Sequence, residues 1–396
     1  MENNYLKYSE VDKRIASERV GVLRFLTKIL IPLFVFSSIM MPRDNFNIKI
    51  SLWVLLLIIS IPTIVYYARK RNYLIYSFYV FVYPIYLIII SLISHQDLYA
   101  SLSAVYVFSY LLLIFICTEN KINYTAIFIN TLTIMSVIIT LSGLLDIVGI
   151  IDIYQNPVLT FLSVNGEAQI SKSSNAICYY VLFLKASPLL LVHFTYNLHN
   201  KNFLITTLSF IAILFSGTRA NIFLSLLVIV FHFYFIQKNN YIKIFFTFFL
   251  VLSLMFFGAD FYDKVDTINN AKSIGDKIRS TTKIAIFEEM NIKPTRYLIG
   301  MGFGSEYYSL GRGRYVSTSE LSYYELIRQV GIIGAIPFLY FILKPIKLLY
   351  RRKKWLFISY MSNLVVSWVD PLLFTSTAFM LYALVYFNYE EIKGGR

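Results

Sequence analysis

Residues 259–320 read ADFYDKVDTINNAKSIGDKIRSTTKIAIFEEMNIKPTRYLIGMGFGSEYYSLGRGRYVSTSE, and residues 321–343, which follow, read LSYYELIRQVGIIGAIPFLYFIL. The first segment is polar and basic, and too long for an ordinary connection between helices. The second is apolar and, at about 1.5 Å of rise per residue, long enough to cross roughly 30 Å of hydrocarbon. The boundary between them is an acid, Glu320. A long polar excursion set between greasy segments decides the fold class: a helical membrane protein that crosses many times and carries one large loop.

Working outward, apolar runs of about 18 to 22 residues recur along the chain, each sufficient for one crossing. They fall near 24–41, 49–68, 73–94, 99–117, 124–149, 177–195, 203–217, 220–236, 244–258, 321–343, 355–369 and 372–388. Hydrophobic residues make up 57% of the 396 positions and charged residues 15%, too little charge to cover a soluble surface. Strands of alternating polarity are lacking, which disfavours a barrel. The expectation is an all-α polytopic membrane protein of about twelve transmembrane helices, forming a single transmembrane domain over residues 1–396.

Orientation follows from the short basic segments. Lys7, Lys13, Arg14 and Arg19 precede the first span, Arg69, Lys70 and Arg71 follow the second, and Lys344, Lys347 and Arg351–Lys354 follow the tenth. An even number of spans puts both termini and all of these clusters on the cytoplasmic side. Two outer loops result, 150–176 and 259–320, the second partly helical and holding nine lysines and arginines. The formal charge of +14 then reflects cytoplasmic loops, with no call for a nucleic-acid partner. The polar lead at the N-terminus is too long for a cleaved signal, and no small-residue cleavage site follows it. Cys117 and Cys178 lie at predicted span ends without metal spacing, and His95, His193, His199 and His232 are scattered, so no metal site is expected.

Several polar residues at the outer boundary carry chemical interest. Ser216-Gly217-Thr218-Arg219-Ala220-Asn221 forms a tight turn that places Arg219 at a helix N-terminus, where backbone N–H groups and the helix dipole favour an anion. Arginine matches phosphate oxygens in a bidentate way; the plainer reading is an arginine reaching to lipid headgroups. In the large loop, Lys277, Arg279 and Lys283 lead an amphipathic stretch, Arg296 precedes LIGMGFG (298–304), and Arg312 and Arg314 sit in GRGR. The glycines would let backbone N–H groups approach a phosphate, while loop cations of this kind are commonly solvated or bound to headgroups. Glu320 at the mouth of a span has two readings: a proton acceptor for a hydroxyl, or an acid favouring the start of a helix behind Ser317, Thr318 or Ser319. Glu325 and Arg328, three apart on the same helix, are expected to pair.

The order of these pieces resembles the O-antigen ligase and Wzy-type polysaccharide polymerase superfamily. SGTRAN opens a span, Arg279 leads an amphipathic stretch to Phe287, LIGMGFG follows, and Glu320 stands ahead of LSYYELIRQVGIIG. The likeness covers about 205–345, and VDPLLFTS (369–376) is similar to the last spans of the polymerases. Ligases of the superfamily place a histidine where this chain has Glu320, a departure that points to a polymerase. The resemblance implies a GT-C-like bundle and a metal-independent glycosyltransferase with no cofactor. It implies further that this enzyme joins undecaprenyl-pyrophosphate-linked oligosaccharides at the outer face of the bacterial cytoplasmic membrane, building O-antigen or capsule. By the same resemblance Arg219 and Arg279 hold the donor pyrophosphate and Glu320 takes the acceptor proton. Arg296, Arg312 and Arg314 are further phosphate or anchoring candidates. Membrane lipids, a chain-length regulator and a flippase are the implied partners. The rival readings are a ligase and a lipid-linked oligosaccharide flippase, the latter disfavoured by the unlike halves of the chain.

Overall fold

The computed structural model describes residues 21, 23–43, 47–172, 180–236, 243 and 277–394. Within them the chain is mostly helical. Six helices are long and apolar enough to cross a membrane: α1 (Leu23–Met40), α2 (Ile48–Ala68), α3 (Leu74–Ile93), α4 (Leu98–Asn120), α5 (Tyr124–Ile147) and a run from Ser322 to Arg352. Their starts are set locally. Asp97 Oδ2 accepts the Ala100 N–H at 2.9 Å to cap α4, and Asn123 Oδ1 accepts the Ala126 N–H at 3.0 Å to cap α5.

Beyond α5 the chain departs from the expected regular passes. The loop forms a short helix α6 (Pro157–Val164) and a strand β1 (Ala168–Lys172), and the chain returns as β2 (Tyr180–Leu184). The strands pair antiparallel with Ala168 opposite Leu184 and Lys172 opposite Tyr180. The helical span expected at 177–195 is therefore corrected: its described part is a strand followed by the short helix α7 (Leu190–His199). Tyr180, Leu182 and Leu184 turn inward and are buried, so the strand alternates even though its sequence is apolar throughout. A strand of five residues and a helix of ten extend roughly 16 Å and 15 Å, together about one bilayer thickness. One edge of β2 is paired by β1.

Three shorter helices follow or close the bundle: α8 (Phe203–Phe215), α9 (Arg219–Phe231) and, later, α14 (Lys354–Val366). The span expected at 244–258 lies outside the described residues. The C-terminal part holds α10 (277–291), α11 (Thr295–Ile299), a small hairpin of β3 (Tyr307–Ser309) and β4 (Arg314–Val316), α12 (Ser322–Leu343), α13 (Ile346–Arg352) and α15 (Ser376–Lys393). The two hairpins correct the all-α expectation.

Helix α12 is broken at Gly331, whose φ of 65° and ψ of 177° leave the helical region. The break releases the carbonyls of Arg328 and Gln329 from the helical ladder, and the 298–304 loop takes them. Met301 N–H donates to Arg328 O at 2.8 Å and Gly302 N–H to Gln329 O at 2.9 Å, while Phe303 N–H donates to Ser91 Oγ at 2.9 Å. These N–H groups are spent on packing, so the phosphate-cradle reading of LIGMGFG is corrected. Gly300 shows why the glycine is required: a Cβ there would lie 2.5 Å from Gln329 O and 2.6 Å from Gly331 N, at a φ of +89°. The obstacle is backbone on both counts and cannot rotate away. Gly300→Ala is expected to cost about 3 kcal/mol or more, read as early loss of the monodisperse protein on heating; an unchanged transition would show that the loop does not dock on the broken helix.

Aromatic residues do much of the packing between helices. Tyr79 and Tyr83 donate to the carbonyls of Pro337 and Gly334 at 2.6 and 2.8 Å, joining α3 to α12. At the end of the bundle rich in lysine and arginine, Tyr76 OH donates to Glu390 at 2.6 Å and Lys353 pairs with Glu391 at 3.0 Å. These contacts tie the starts of α3 and α14 to the end of α15 and leave the opposite end of the bundle to the loops.

Candidate active site

At that loop end lies a cavity of about 1200 Å³. Tyr99, Ser103 and Tyr106 of α4 form one wall, and four other parts of the chain supply the rest. Pro42, Arg43 and Asn47 follow α1; Gln169, Val181, Phe183 and Lys185 belong to the first hairpin; Ser216, Gly217 and Thr218 form the turn before α9; and Arg312, Glu320, Glu325, Gln329 and Asp370 come from the C-terminal part.

The C-terminal wall is built from the small hairpin and α10. Apolar residues of α10 (Ala285, Ile286 and Met290) bury against Tyr307 and Val316 of the hairpin. That packing fixes the start of α10, which carries Arg279, beside the hairpin turn, which carries Arg312. Ser309 O receives the N–H groups of Arg312 and Gly313 at 3.0 and 2.8 Å, holding the turn. Both arginines then reach one carboxylate: Arg279 Nε donates to Glu320 Oε2 at 3.3 Å and Arg312 Nη2 to Glu320 Oε1 at 3.1 Å. The side chains are 34% to 40% exposed, so water and ions reach the triad and its value for stability is small.

The sequence-predicted residues separate on this geometry. Arg279, Arg312 and Glu320 meet. Arg219 is exposed at the first position of α9, and the turn just before it lines the cavity. Arg296 is engaged elsewhere, donating to Glu289 Oε1 at 2.7 Å and to Glu289 O at 2.5 Å, where it closes the end of α10. Arg314 is exposed on β4, opposite Ser309, and does not line the cavity.

Beneath Glu320 the floor is a buried ionic network. Arg328 is fully buried and donates to Glu325 Oε2 from Nε at 2.9 Å and from Nη2 at 2.7 Å. It also donates to Ser305 O, Ser305 Oγ and Ser317 O at 3.0, 2.6 and 2.7 Å, and its guanidinium lies 5.0 Å from the Tyr307 ring centre. Gln329 Nε2 adds a bond to Glu325 Oε2 at 3.2 Å. The expected pairing of Glu325 with Arg328 is thus present, and it braces the loop that carries Glu320.

Asp370 is the carboxylate that sequence reasoning passed over. It sits in the connection between α14 and α15, with its carbonyl accepting from Ser322 Oγ at 2.6 Å. Burial, and then the nearby charge of Glu320, push its carboxyl up to about 6, with Arg279 opposing. Its signal in the sequence was a lone acid, in Val369-Asp370-Pro371, between two apolar helices. Because the folded chain holds this proton more tightly than the ordinary 3.8, ionisation of Asp370 lowers stability as pH rises from about 4 through 6. Asp370→Asn should therefore raise the unfolding temperature at pH 8, and the gain should fade as pH falls through 6. A gain independent of pH would contradict the assignment.

Comparison of the chain with protein-family models and with curated proteins finds no match.

Proposed function

We propose that this chain is a glycosyltransferase joining lipid-linked oligosaccharide repeat units into a surface polysaccharide. One observation carries the reading: a carboxylate bridged by two arginines from separate segments, at the edge of a cavity large enough for two glycan ends. In the proposed reaction the bond between the donor's anomeric carbon and its diphosphate breaks, and the diphosphate leaves with the electron pair. The acceptor hydroxyl oxygen forms the new bond to that carbon and gives its proton to Glu320. Arg279 and Arg312 stabilise the departing diphosphate, and the Arg219 turn lines the same cavity. The resting ion pairs serve this order of events. Glu320 holds the arginines in place until the more highly charged diphosphate competes for them, and its release then frees an acceptor for the proton. Asp370, whose carboxyl is pushed up to about 6 by burial and then by Glu320, is a second carboxylate lining the same cavity.

The same proposal sets the cavity at the outer face of a bacterial cytoplasmic membrane, in a GT-C-like bundle with the basic ends of the helices towards the cytoplasm. About twelve passes are read, with β2 and α7 together taking the place of the sixth. Undecaprenyl-pyrophosphate-linked oligosaccharides are the donor and acceptor. Deleting the chain from its host and resolving surface glycan on gels tests the reading. Loss of long chains with retention of single repeat units supports it. Free polymer left on the lipid carrier would instead indicate a ligase, and loss of even single units a flippase.

A further inference from the structure

We infer that Arg43 and Lys185 form a second anion subsite in the cavity, which takes the diphosphate of the acceptor lipid while Arg279 and Arg312 take that of the donor. The inference rests on the polymerase reading and names where the second substrate sits.

Arg43 and Lys185 come from opposite sides of the first half of the chain, and both line the cavity. One buried acid organises them. Glu167, 1% exposed, accepts the Arg43 backbone N–H on Oε1 at 2.7 Å. Its carbonyl accepts the Lys185 backbone N–H at 3.1 Å, and its Oε2 lies 4.0 Å from Lys185 Nζ. A carboxylate buried this deeply is costly unless cations stand against it. Glu167 thus holds the Lys185 ammonium and the Arg43 backbone on one wall, and the exposed Arg43 side chain lines the same cavity. Lys49, itself buried, donates to the carbonyl of Pro42, fixing the backbone on which Arg43 is carried.

The loop is also shaped around the guanidinium. A Cβ on Gly166 would lie 2.6 Å from Arg43 Nη1, and the φ of +69° at this position disfavours any side chain. The space that a side chain would fill is occupied by the Arg43 head group.

The chemistry of the proposed reaction calls for this subsite. Joining two lipid-linked glycans brings two diphosphates into one cavity, and their repulsion must be offset by cations in two places. The C-terminal arginines supply one place. At about 1200 Å³ the cavity exceeds the roughly 300–1,000 Å³ usual for a single small ligand.

Farnesyl diphosphate, binding to the full chain in phosphatidylcholine nanodiscs, tests the inference by stoichiometry. Wild type should bind two equivalents. Arg43→Gln keeps the backbone N–H that serves Glu167, so the fold is retained; it should weaken one equivalent about 10- to 100-fold and spare the other. Lys185→Gln should do the same, Arg43→Lys should retain both, and Arg279→Ala should weaken the other equivalent. Inorganic pyrophosphate should compete at both. If phosphatidylglycerol nanodiscs abolish only the equivalent sensitive to Arg43→Gln, that wall binds lipid headgroups and the inference fails. A single equivalent, sensitive to Arg279→Ala and indifferent to Arg43→Gln, overturns the second subsite and leaves the proposed function standing. No binding by wild type overturns both.

Discussion

Glu320→Gln should leave the protein folded and abundant in the membrane yet abolish long-chain polysaccharide, with turnover reduced about 10²- to 10⁴-fold. The substitution keeps the shape of the side chain. Its amide oxygen still accepts a hydrogen bond from Arg279 or Arg312, so the loop geometry of 3.3 and 3.1 Å is largely preserved. What it removes is the negative charge and the capacity to take a proton. The alternative, a helix-start acid of no chemical role, predicts a different outcome. On that reading the change costs only a fraction of a kcal/mol of stability and no activity. Single repeat units accumulating in the Glu320→Gln strain would favour the chemical role; chains of normal length would remove Glu320 from the mechanism.

Arg328→Leu should be among the most destabilising single changes in the chain, by about 3–5 kcal/mol. The guanidinium is fully buried and holds Glu325, Ser305 and Ser317 together. Leucine fills part of the volume but leaves the Glu325 carboxylate buried without its cation, at 4% exposure. The test is the temperature at which the detergent-solubilised protein loses its monodisperse profile. A further change of Glu325 to Leu in the same chain should recover part of the loss, because it removes the stranded charge. A wild-type profile for Arg328→Leu would mean that the network does not support the 305–320 loop. Because this effect acts on folding, it is separable from Glu320→Gln, which acts on turnover.

Much of the fold was legible because membrane helices announce themselves by length and apolarity alone. α2, α5 and α12 begin and end within a few residues of the runs read from the sequence. The stretch around β2 was not, for a physical reason. Tyr180–Leu184 is apolar at every position, and a short apolar run has no period that separates a buried strand from a helix. Its strand character comes from pairing with β1, a contact that spacing does not reveal. The LIGMGFG glycines illustrate the converse error. Their spacing looks like an anion cradle, yet the Met301 and Gly302 N–H groups meet the carbonyls that the break at Gly331 releases.

The site was legible in part. Arg279 and Glu320 could be singled out because each stands at the boundary of an amphipathic or apolar helix. Arg312 stood equal with Arg314 until the turn after β3 placed one at Glu320 and the other on an exposed strand. Asp370, Arg43 and Lys185 depend on tertiary convergence. Each is an unremarked charge in a short loop, and only the closed bundle brings all three to one cavity.

The central claim is that this cavity joins two lipid-linked glycans. Purified chain, reconstituted in liposomes with a chemically defined undecaprenyl-pyrophosphate-linked repeat unit, gives the most direct reading when products are resolved by length. The account predicts a ladder of increasing chain length with wild type and unreacted single units with Glu320→Gln. Units that remain single with wild type, across the repeat units of the host's own polysaccharide, would contradict it.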